Sequence, residues 1–125
     1  MTLIDRIRLT PLAKNQLSTL KRRYSIEHYN TICRYALCLS LKTPGQMVEE
    51  NFSFVGGLEI DWKTLTGGNE VAFLNLVVMW MQANGQACDE DGVRRNVHLH
   101  LHRGLSFLAG RDEPLELIFS SRDAL

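Results

Sequence analysis

The first 42 residues contain almost no acidic side chains. Only Asp5 and Glu27 carry negative charge there, against eight lysines and arginines, so this third of the chain has a formal charge of +6. The other 83 residues carry six basic and twelve acidic side chains, and the formal net charge of the whole chain is zero. Segregation on this scale indicates a surface for a polyanion. The alternative is that the two portions pair with each other through surface salt bridges.

Cysteines and long apolar runs are also scarce. Cys33, Cys38 and Cys88 lack metal-ligand spacing, are odd in number and lie in apolar sequence, so we expect buried free thiols in a reducing cytoplasm. The apolar stretch VAFLNLVVMWM is about half the length that a membrane span requires. The N-terminus has no apolar segment followed by a small-residue cleavage site, which argues against a signal peptide. These features predict a cytoplasmic protein with no membrane partner.

The stretch VHLHLHRG places His98, His100 and His102 at alternate positions, a spacing that suits a metal site on a strand. The apolar residues around it instead recur with helical spacing, and on a helix His100 points nearly opposite to the other two. The sequence therefore predicts a helix from about Asp89 to Gly110 and no metal site. We expect His98 and His102 to form a partly solvated flank that pairs with phosphate or carboxylates.

A strand and a helix are predicted at the start of the chain. LIDRIRL alternates apolar and polar residues, which predicts a short strand with Arg6 and Arg8 on its polar face. No second strand is evident nearby, so pairing with the same strand of another copy is expected. Thr10 and Pro11 are typical of a helix N-terminus. The basic residues of this helix are expected to form a cationic surface, and they are Lys14, Lys21, Arg22 and Arg23.

A second helix is predicted after Ser25. Its apolar belt extends nearly all the way round, which predicts burial on two sides, one of them by another subunit. Thr43-Pro44 predicts a further short helical segment, followed by an irregular or extended stretch between glycine pairs.

A helix from Asn69 to Gly85 is apolar on nearly every side and is predicted to be the central helix or an oligomer contact. Residues 111–125 are expected to form a loose tail. The sequence thus predicts one mainly α domain over residues 1–125, with a short N-terminal strand followed by helices.

Residues 1–42 resemble the ribbon-helix-helix DNA-binding unit in their order of strand, helix, turn and helix. In that fold two chains pair their strands into a ribbon that enters the major groove. The resemblance implies that Arg6 and Arg8 face the groove. It also implies phosphate contacts by the basic residues of the first helix, Lys14, Lys21, Arg22 and Arg23.

Four stretches together resemble the DndE family of DNA sulfur-modification proteins over roughly residues 3 to 111. They are RIRLTPLAKNQLSTLKRR, CLSLKTP, GGLEIDWKTLTGG and HLHLHRGLSFLAG. The resemblance implies a small non-catalytic DNA-binding subunit that assembles into an oligomer. Its implied partners are a cysteine desulfurase, an ATP-pyrophosphatase-like enzyme and an ATPase, which replace a non-bridging phosphate oxygen with sulfur. A tight turn between the two helices would favour glycine, whereas this chain has Tyr24-Ser25 at that position.

We predict no catalytic residue, metal or cofactor, because no Ser/His/Asp or Cys/His signature is present. The preferred function is binding to the backbone of double-stranded DNA, intact or nicked, by a homo-oligomer that is a dimer or a tetramer. One alternative is a sequence-specific ribbon-helix-helix repressor. Another is a protein-only adaptor whose acidic portion docks a partner of the modification complex.

Overall fold

The computed structural model shows a mainly helical fold with a short N-terminal strand, as the sequence predicts. It describes residues 4–45, 47–48 and 50–111, so all but the first residue of the predicted tail, 111–125, lies outside the described residues. The elements in chain order are β1 (Arg6–Leu9), α1 (Pro11–Arg23), α2 (Tyr29–Lys42), β2 (Leu58–Asp61), α3 (Trp62–Thr66), α4 (Glu70–Ala83) and α5 (Glu90–Ala109).

β1 pairs with a strand of its own chain. β2 lies antiparallel to it, with Arg6 opposite Asp61 and Arg8 opposite Glu59. The predicted alternation is confirmed, because the apolar side chains of β1 are buried and its two arginines are exposed. The prediction that no second strand lies in this chain is wrong, and the argument for an intermolecular ribbon loses its basis. β2 escaped notice because it has four residues, of which only Ile60 is buried.

α1 begins as its sequence predicts. The side chain of Thr10 accepts a hydrogen bond from the Ala13 N–H, 3.1 Å away, and Pro11 occupies the first turn. Ala13, Leu17 and Leu20 form the buried stripe of the helix. The remaining faces of α1 are polar or basic, so burial of this stripe determines which side chains turn to solvent.

α2 is packed on by α1, α3 and α5 of the same chain. Its buried side chains include Cys33 and Leu37, and the latter lies on the side for which another subunit was expected. Part of the face of α2 that was expected to contact another subunit is therefore buried by elements of the same chain. Cys38 and Leu41, on the same side, are half-buried.

α5 is the central helix of the fold, since it contacts β1, α1, α2 and α4. The predicted limits are confirmed: Asp89 caps it by accepting from the Gly92 N–H at 2.6 Å, and Gly110 ends it. Gly104 is required where α5 crosses α2, because a Cβ there would lie 1.9 Å from the Ala36 carbonyl oxygen. Because of this close approach, the buried faces of α2 and α5 pack directly against each other.

Two predictions for the middle of the chain need correction. The described residues of the stretch from Thr43 to Glu50 contain no helix, and the stretch after it, expected to be irregular or extended, contains α3, which Asp61 caps. The helix α4 is confirmed. It is not the central helix, because Val77 and Met81 are its only fully buried side chains, and its alternative role as an oligomer contact stays a prediction. Among the described residues, no helix combines the length and apolar character needed to cross a membrane.

Candidate nucleic-acid interface

α1 presents three basic side chains and no acid on one side of the helix, which we call the α1 cationic face: Lys14, Lys21 and Arg22. Positions seven and eight residues apart lie on the same side of an α-helix, and Lys14 and Arg22 are about 12 Å apart along its axis. Both side chains are exposed, while Lys21 is half-buried with its ammonium nitrogen 5.0 Å from the Tyr29 ring centroid. No carboxylate in the described part of the chain forms an ion pair with this face. The face is therefore suited to a row of phosphates.

The position of these cations also has a structural effect. Lys21, Arg22 and Arg23 occupy the last turn of α1, where the helix macrodipole favours positive charge. This interaction contributes less than about 1 kcal/mol for an exposed residue, and it does not involve Lys14, two turns earlier.

Arg23 differs from its neighbours because its guanidinium is directed at α5. It donates hydrogen bonds to the carbonyl oxygens of Leu108 (3.4 Å), Ala109 (3.2 Å) and Arg111 (2.6 Å). These carbonyls belong to the end of α5, which has no basic residue in its last turn. Arg23 thus joins the ends of two helices, and its predicted phosphate contact remains a prediction.

Arg6 and Arg8 lie next to acidic side chains of β2. Glu59 forms an ion pair with Arg6 at 2.9 Å and a longer one with Arg8 at 3.8 Å, and all three side chains are exposed. The hydrogen bond and the charge of Glu59 raise the pKa of Arg6 above its ordinary value. With Asp5 and Asp61 also exposed nearby, the two arginines lie among three acidic side chains, so their positive charge is offset. Sequence reasoning missed these partners because they lie about 50 residues away.

His98 and His102 bind the backbone of β1 and of the α1 N-terminus. Nε2 of His98 accepts from the Arg8 N–H at 3.4 Å, and Nε2 of His102 accepts from the Thr10 N–H at 3.2 Å. Each Nδ1–H donates to a carbonyl one turn earlier in α5, that of Arg94 at 2.9 Å and that of His98 at 2.7 Å. Both imidazoles are therefore neutral and protonated at Nδ1.

The environment of these histidines agrees with their neutral state. Burial lowers the pKa of both imidazoles below the ordinary value for histidine. The ring of Phe52 stacks on His102 with the centroids 4.2 Å apart. The expectation of a solvated flank that pairs with phosphate or carboxylate is wrong for the two residues, because backbone N–H groups occupy their acceptor nitrogens. Among residues 4–45, 47–48 and 50–111, no cluster of three metal-ligating side chains occurs.

His100 points away from the other two histidines, as predicted, and meets a buried serine that the sequence did not indicate. Ser40 Oγ lies 2.7 Å from His100 Nδ1, and Arg103 Nε donates to the same oxygen at 2.8 Å. Burial and then the charge of Arg103 lower the pKa of His100 to about 4. Ser40 and His100 are both fully buried, so this pair lacks the access that a nucleophile and base require.

The cysteines are free thiols, as predicted, but the expectation that all three are buried is wrong, because only Cys33 is buried. Burial raises the pKa of Cys33 to about 12 and also raises that of Cys38, so neither thiol favours the reactive thiolate. Cys88 is exposed.

α5 adds two arginines that sequence reasoning missed. Arg94 and Arg95 are exposed near its beginning. They were overlooked because they lie in the acidic portion of the chain, directly after Asp89, Glu90 and Asp91. Their only signal in the sequence is that they are adjacent.

α4 presents an exposed apolar surface, which we call the α4 apolar face: Val71, Leu76 and Met79, with exposed fractions of 71%, 44% and 63%. No charged residue follows Glu70 within the helix. Exposed apolar side chains grouped on a helix segment without charged residues are typical of protein contact surfaces.

These observations define a small, mainly helical protein with a two-stranded sheet, a central helix α5 and a cationic face on its first helix. Residues 6–114 match the family described as DNA sulphur modification protein DndE. Because the match covers most of the chain, the protein belongs to the DndE family, and the resemblance noted from the sequence is confirmed.

A solved structure shares the fold. It is the crystal structure of DndE from Escherichia coli B7A involved in DNA phosphorothioation modification. The similarity has a TM-score of 0.67 at 21% sequence identity, and it covers 88% of this chain and 99% of that one. At this identity the comparison shows the fold alone. No curated protein matches the sequence.

Proposed function

We propose that the protein binds the backbone of double-stranded DNA as a non-catalytic subunit of a DNA phosphorothioation system. The observation that supports this most is the α1 cationic face, with three basic side chains and no acid on its helix. Lysine and arginine contacts to phosphates provide affinity without reading sequence. Membership of the DndE family supports the connection with sulphur modification.

The polar face of β1 favours a backbone reader over a sequence-specific repressor. Base recognition in the ribbon-helix-helix manner needs a strand pair with free side chains that reach base edges. Here Arg6 and Arg8 lie opposite Asp61 and Glu59, and β1 offers no Asn or Gln. The substrate is duplex DNA, intact or nicked, since sulfur insertion acts on the backbone.

The proposed assembly is a homo-oligomer, a dimer or a tetramer, formed through the α4 apolar face. Its exposed side chains gain most by packing against an equally apolar surface, and a second copy supplies one without any buried charge. Self-association also multiplies the cationic faces that one DNA molecule contacts, which strengthens binding by effective concentration.

The acidic portion after residue 42 is proposed to contact other proteins of the modification complex in the cytoplasm. It carries twelve acidic side chains against six basic ones. Acidic side chains attract basic surfaces, which suits this portion of the chain to protein partners.

The test compares binding of the full chain to intact, nicked and unrelated duplexes at several salt concentrations. Each phosphate contact contributes about 0.9 to the slope of log affinity against log salt. The triple variant K14E/K21E/R22E should lose DNA binding while its circular-dichroism helix signal stays that of the wild type. Two single variants form a matched pair, because both change an exposed lysine to glutamate. Lys14→Glu, on the α1 cationic face, should weaken DNA binding, whereas Lys63→Glu, on α3, should not.

The outcomes separate the three functions. Similar affinity for unrelated sequences supports the backbone reader. Affinity that collapses on base substitution in a palindromic site would identify a repressor instead. If the wild-type protein has no affinity for DNA at moderate salt, the adaptor is left as the function.

Light scattering tests the oligomer separately. The wild-type mass should be a multiple of 14.3 kDa at micromolar concentration. Met79→Glu should shift it towards one chain, because a charge buried in the contact is costly. Val55→Glu is the control, since Val55 is 87% exposed in a loop away from α4. A wild-type mass of one chain contradicts the proposal.

A further inference from the structure

Two arginines 86 positions apart in the sequence are joined through one imidazole. His98 accepts a hydrogen bond from the Arg8 N–H and donates one to the Arg94 carbonyl oxygen. The backbone of β1 and the second turn of α5 are therefore separated by a single ring. Neither end of this bridge uses an arginine side chain, and both arginine side chains are exposed.

The charges of both guanidinium groups act on the same imidazole, that of His98. The side chains of Arg8 and Arg94 are 65% and 46% exposed. Beyond the effect of burial, the charge of each one lowers the pKa of His98, as expected when both are near the ring. Two like charges held together on a surface repel each other, and an anion placed between them is stabilised by both.

The acidic neighbours of this pair are weak competitors for an anion. Arg94 contacts Asp91 at 3.3 Å, but that carboxylate is 93% exposed. Glu59 is 0.9 Å closer to Arg6 than to Arg8, since the two distances are 2.9 and 3.8 Å. Exposed ion pairs of this kind contribute at most about 1 kcal/mol, so a phosphate with two arginine partners can replace them.

The segment that carries Arg8 and the helix that carries the α1 cationic face both lie along α5. Contacts along α5 follow the order of the N-terminal segment: His98 meets Arg8, His102 meets Thr10, and Ser106 meets Gln16 at 3.3 Å. β1 and α1 thus lie along α5 in its own direction. Arg94, one turn before His98, continues this order towards the start of β1.

We propose that Arg8 and Arg94 together form a phosphate-binding site that extends the α1 cationic face to the junction of β1 and α5. The site takes a backbone phosphate of the bound DNA, so it rests on the proposed function. Guanidinium groups suit this ligand because each offers two parallel N–H donors to phosphate oxygens. Arg94 is the residue that nothing in the sequence suggested for this purpose.

The experiment compares single Arg-to-Gln variants of the full chain, with a random-sequence duplex and salt from 50 to 200 mM. R8Q and R94Q should each weaken binding about three- to fivefold and reduce the salt slope by about 1. R95Q, which changes the adjacent exposed arginine of α5, serves as the matched control and should change the affinity less than about twofold.

If R94Q and R95Q have the same affinity for DNA, the proposed site is wrong. If the wild type binds DNA and K14E/K21E/R22E does not, but R94Q binds as the wild type does, this inference fails while the proposed function stands. If the wild type does not bind DNA, the proposed function fails first.

Calorimetry with inorganic phosphate separates the two sources of the ligand. Binding of inorganic phosphate that R8Q/R94Q abolishes, without any effect of the same double variant on DNA affinity, would assign the pair to free phosphate and overturn the backbone assignment.

Discussion

Ser40 Oγ and Nδ1 of His100 share a hydrogen bond of 2.7 Å, and this bond joins α2 to α5 in the interior of the protein. Arg103 Nε–H donates to the same hydroxyl oxygen. Nε2 of His100 has no hydrogen-bond partner among the described residues. The centroid of the Trp80 ring lies 4.3 Å from that of the imidazole, in an edge arrangement. The interior therefore requires a neutral His100.

The stability of the fold should fall in mild acid because of this residue. An unfolded histidine takes up a proton below about pH 6.5, whereas folded His100 does so only near its pKa of about 4. The unfolded state thus binds more protons between these values, and the free energy of unfolding should decrease by about 3 kcal/mol as the pH falls from 6.5 to 4. Burial of His98 and His102 acts in the same direction. Urea unfolding followed by circular dichroism at pH 7.5, 5.5 and 4.5 measures the effect.

Two variants assign this pH dependence. His100→Asn should reduce it, since an amide does not titrate there, whatever the variant costs in stability at pH 7.5. His28→Gln changes an exposed histidine and should retain the full dependence. Equal pH dependence for His100→Asn and the wild type contradicts the assignment.

Gly104→Ala should destabilise the protein by about 3 kcal/mol, although alanine is the better helix former by about 1 kcal/mol. The added Cβ would lie 1.9 Å from the carbonyl oxygen of Ala36, a backbone atom that can only move with α2. At Gly110 the nearest atom is 3.4 Å away, so Gly110→Ala should change the stability by less than about 1 kcal/mol. Thermal unfolding of both variants provides the comparison, and similar melting temperatures would show that α2 and α5 are not held this closely.

Arg22→Gln and Arg23→Gln should have different effects although the residues are adjacent. Arg23 donates to three carbonyl oxygens at the end of α5, so its loss should lower the free energy of unfolding by about 1 kcal/mol. Arg22 belongs to the α1 cationic face, and its replacement should weaken DNA binding with a stability change below about 0.5 kcal/mol. Denaturation and DNA titration of the two variants test this division, which fails if R22Q is the less stable one.

The helices α1, α4 and α5 could be predicted because their signals are local. Thr10-Pro11 and Asp89 are caps within the segment that they start, and the apolar stripe of α5 follows the helical period. β2 could not be predicted, because four residues with one buried side chain carry no clear period of two. The strand register, and hence the position of Glu59 beside both arginines of β1, depends on packing between remote segments.

The histidines show a second reason why the candidate site was only partly predictable. Their spacing predicted correctly which imidazoles share a flank of α5. Their partners are the backbone N–H groups of Arg8 and Thr10, and a backbone group has no signature in a sequence. The basic residues of α1 could be found from composition alone, whereas Arg94 required the contact between β1 and α5.

The hydrogen bonds from β1 and Thr10 to α5 have a consequence for biosynthesis. The first strand emerges from the ribosome before its partners, His98 and His102, have been translated. Long-range contacts of this kind form late, after a costly closure of the intervening loop. The nascent chain consequently completes its N-terminal architecture only when α5 has left the exit tunnel, so an unfinished polypeptide does not display the ordered surface of the mature protein.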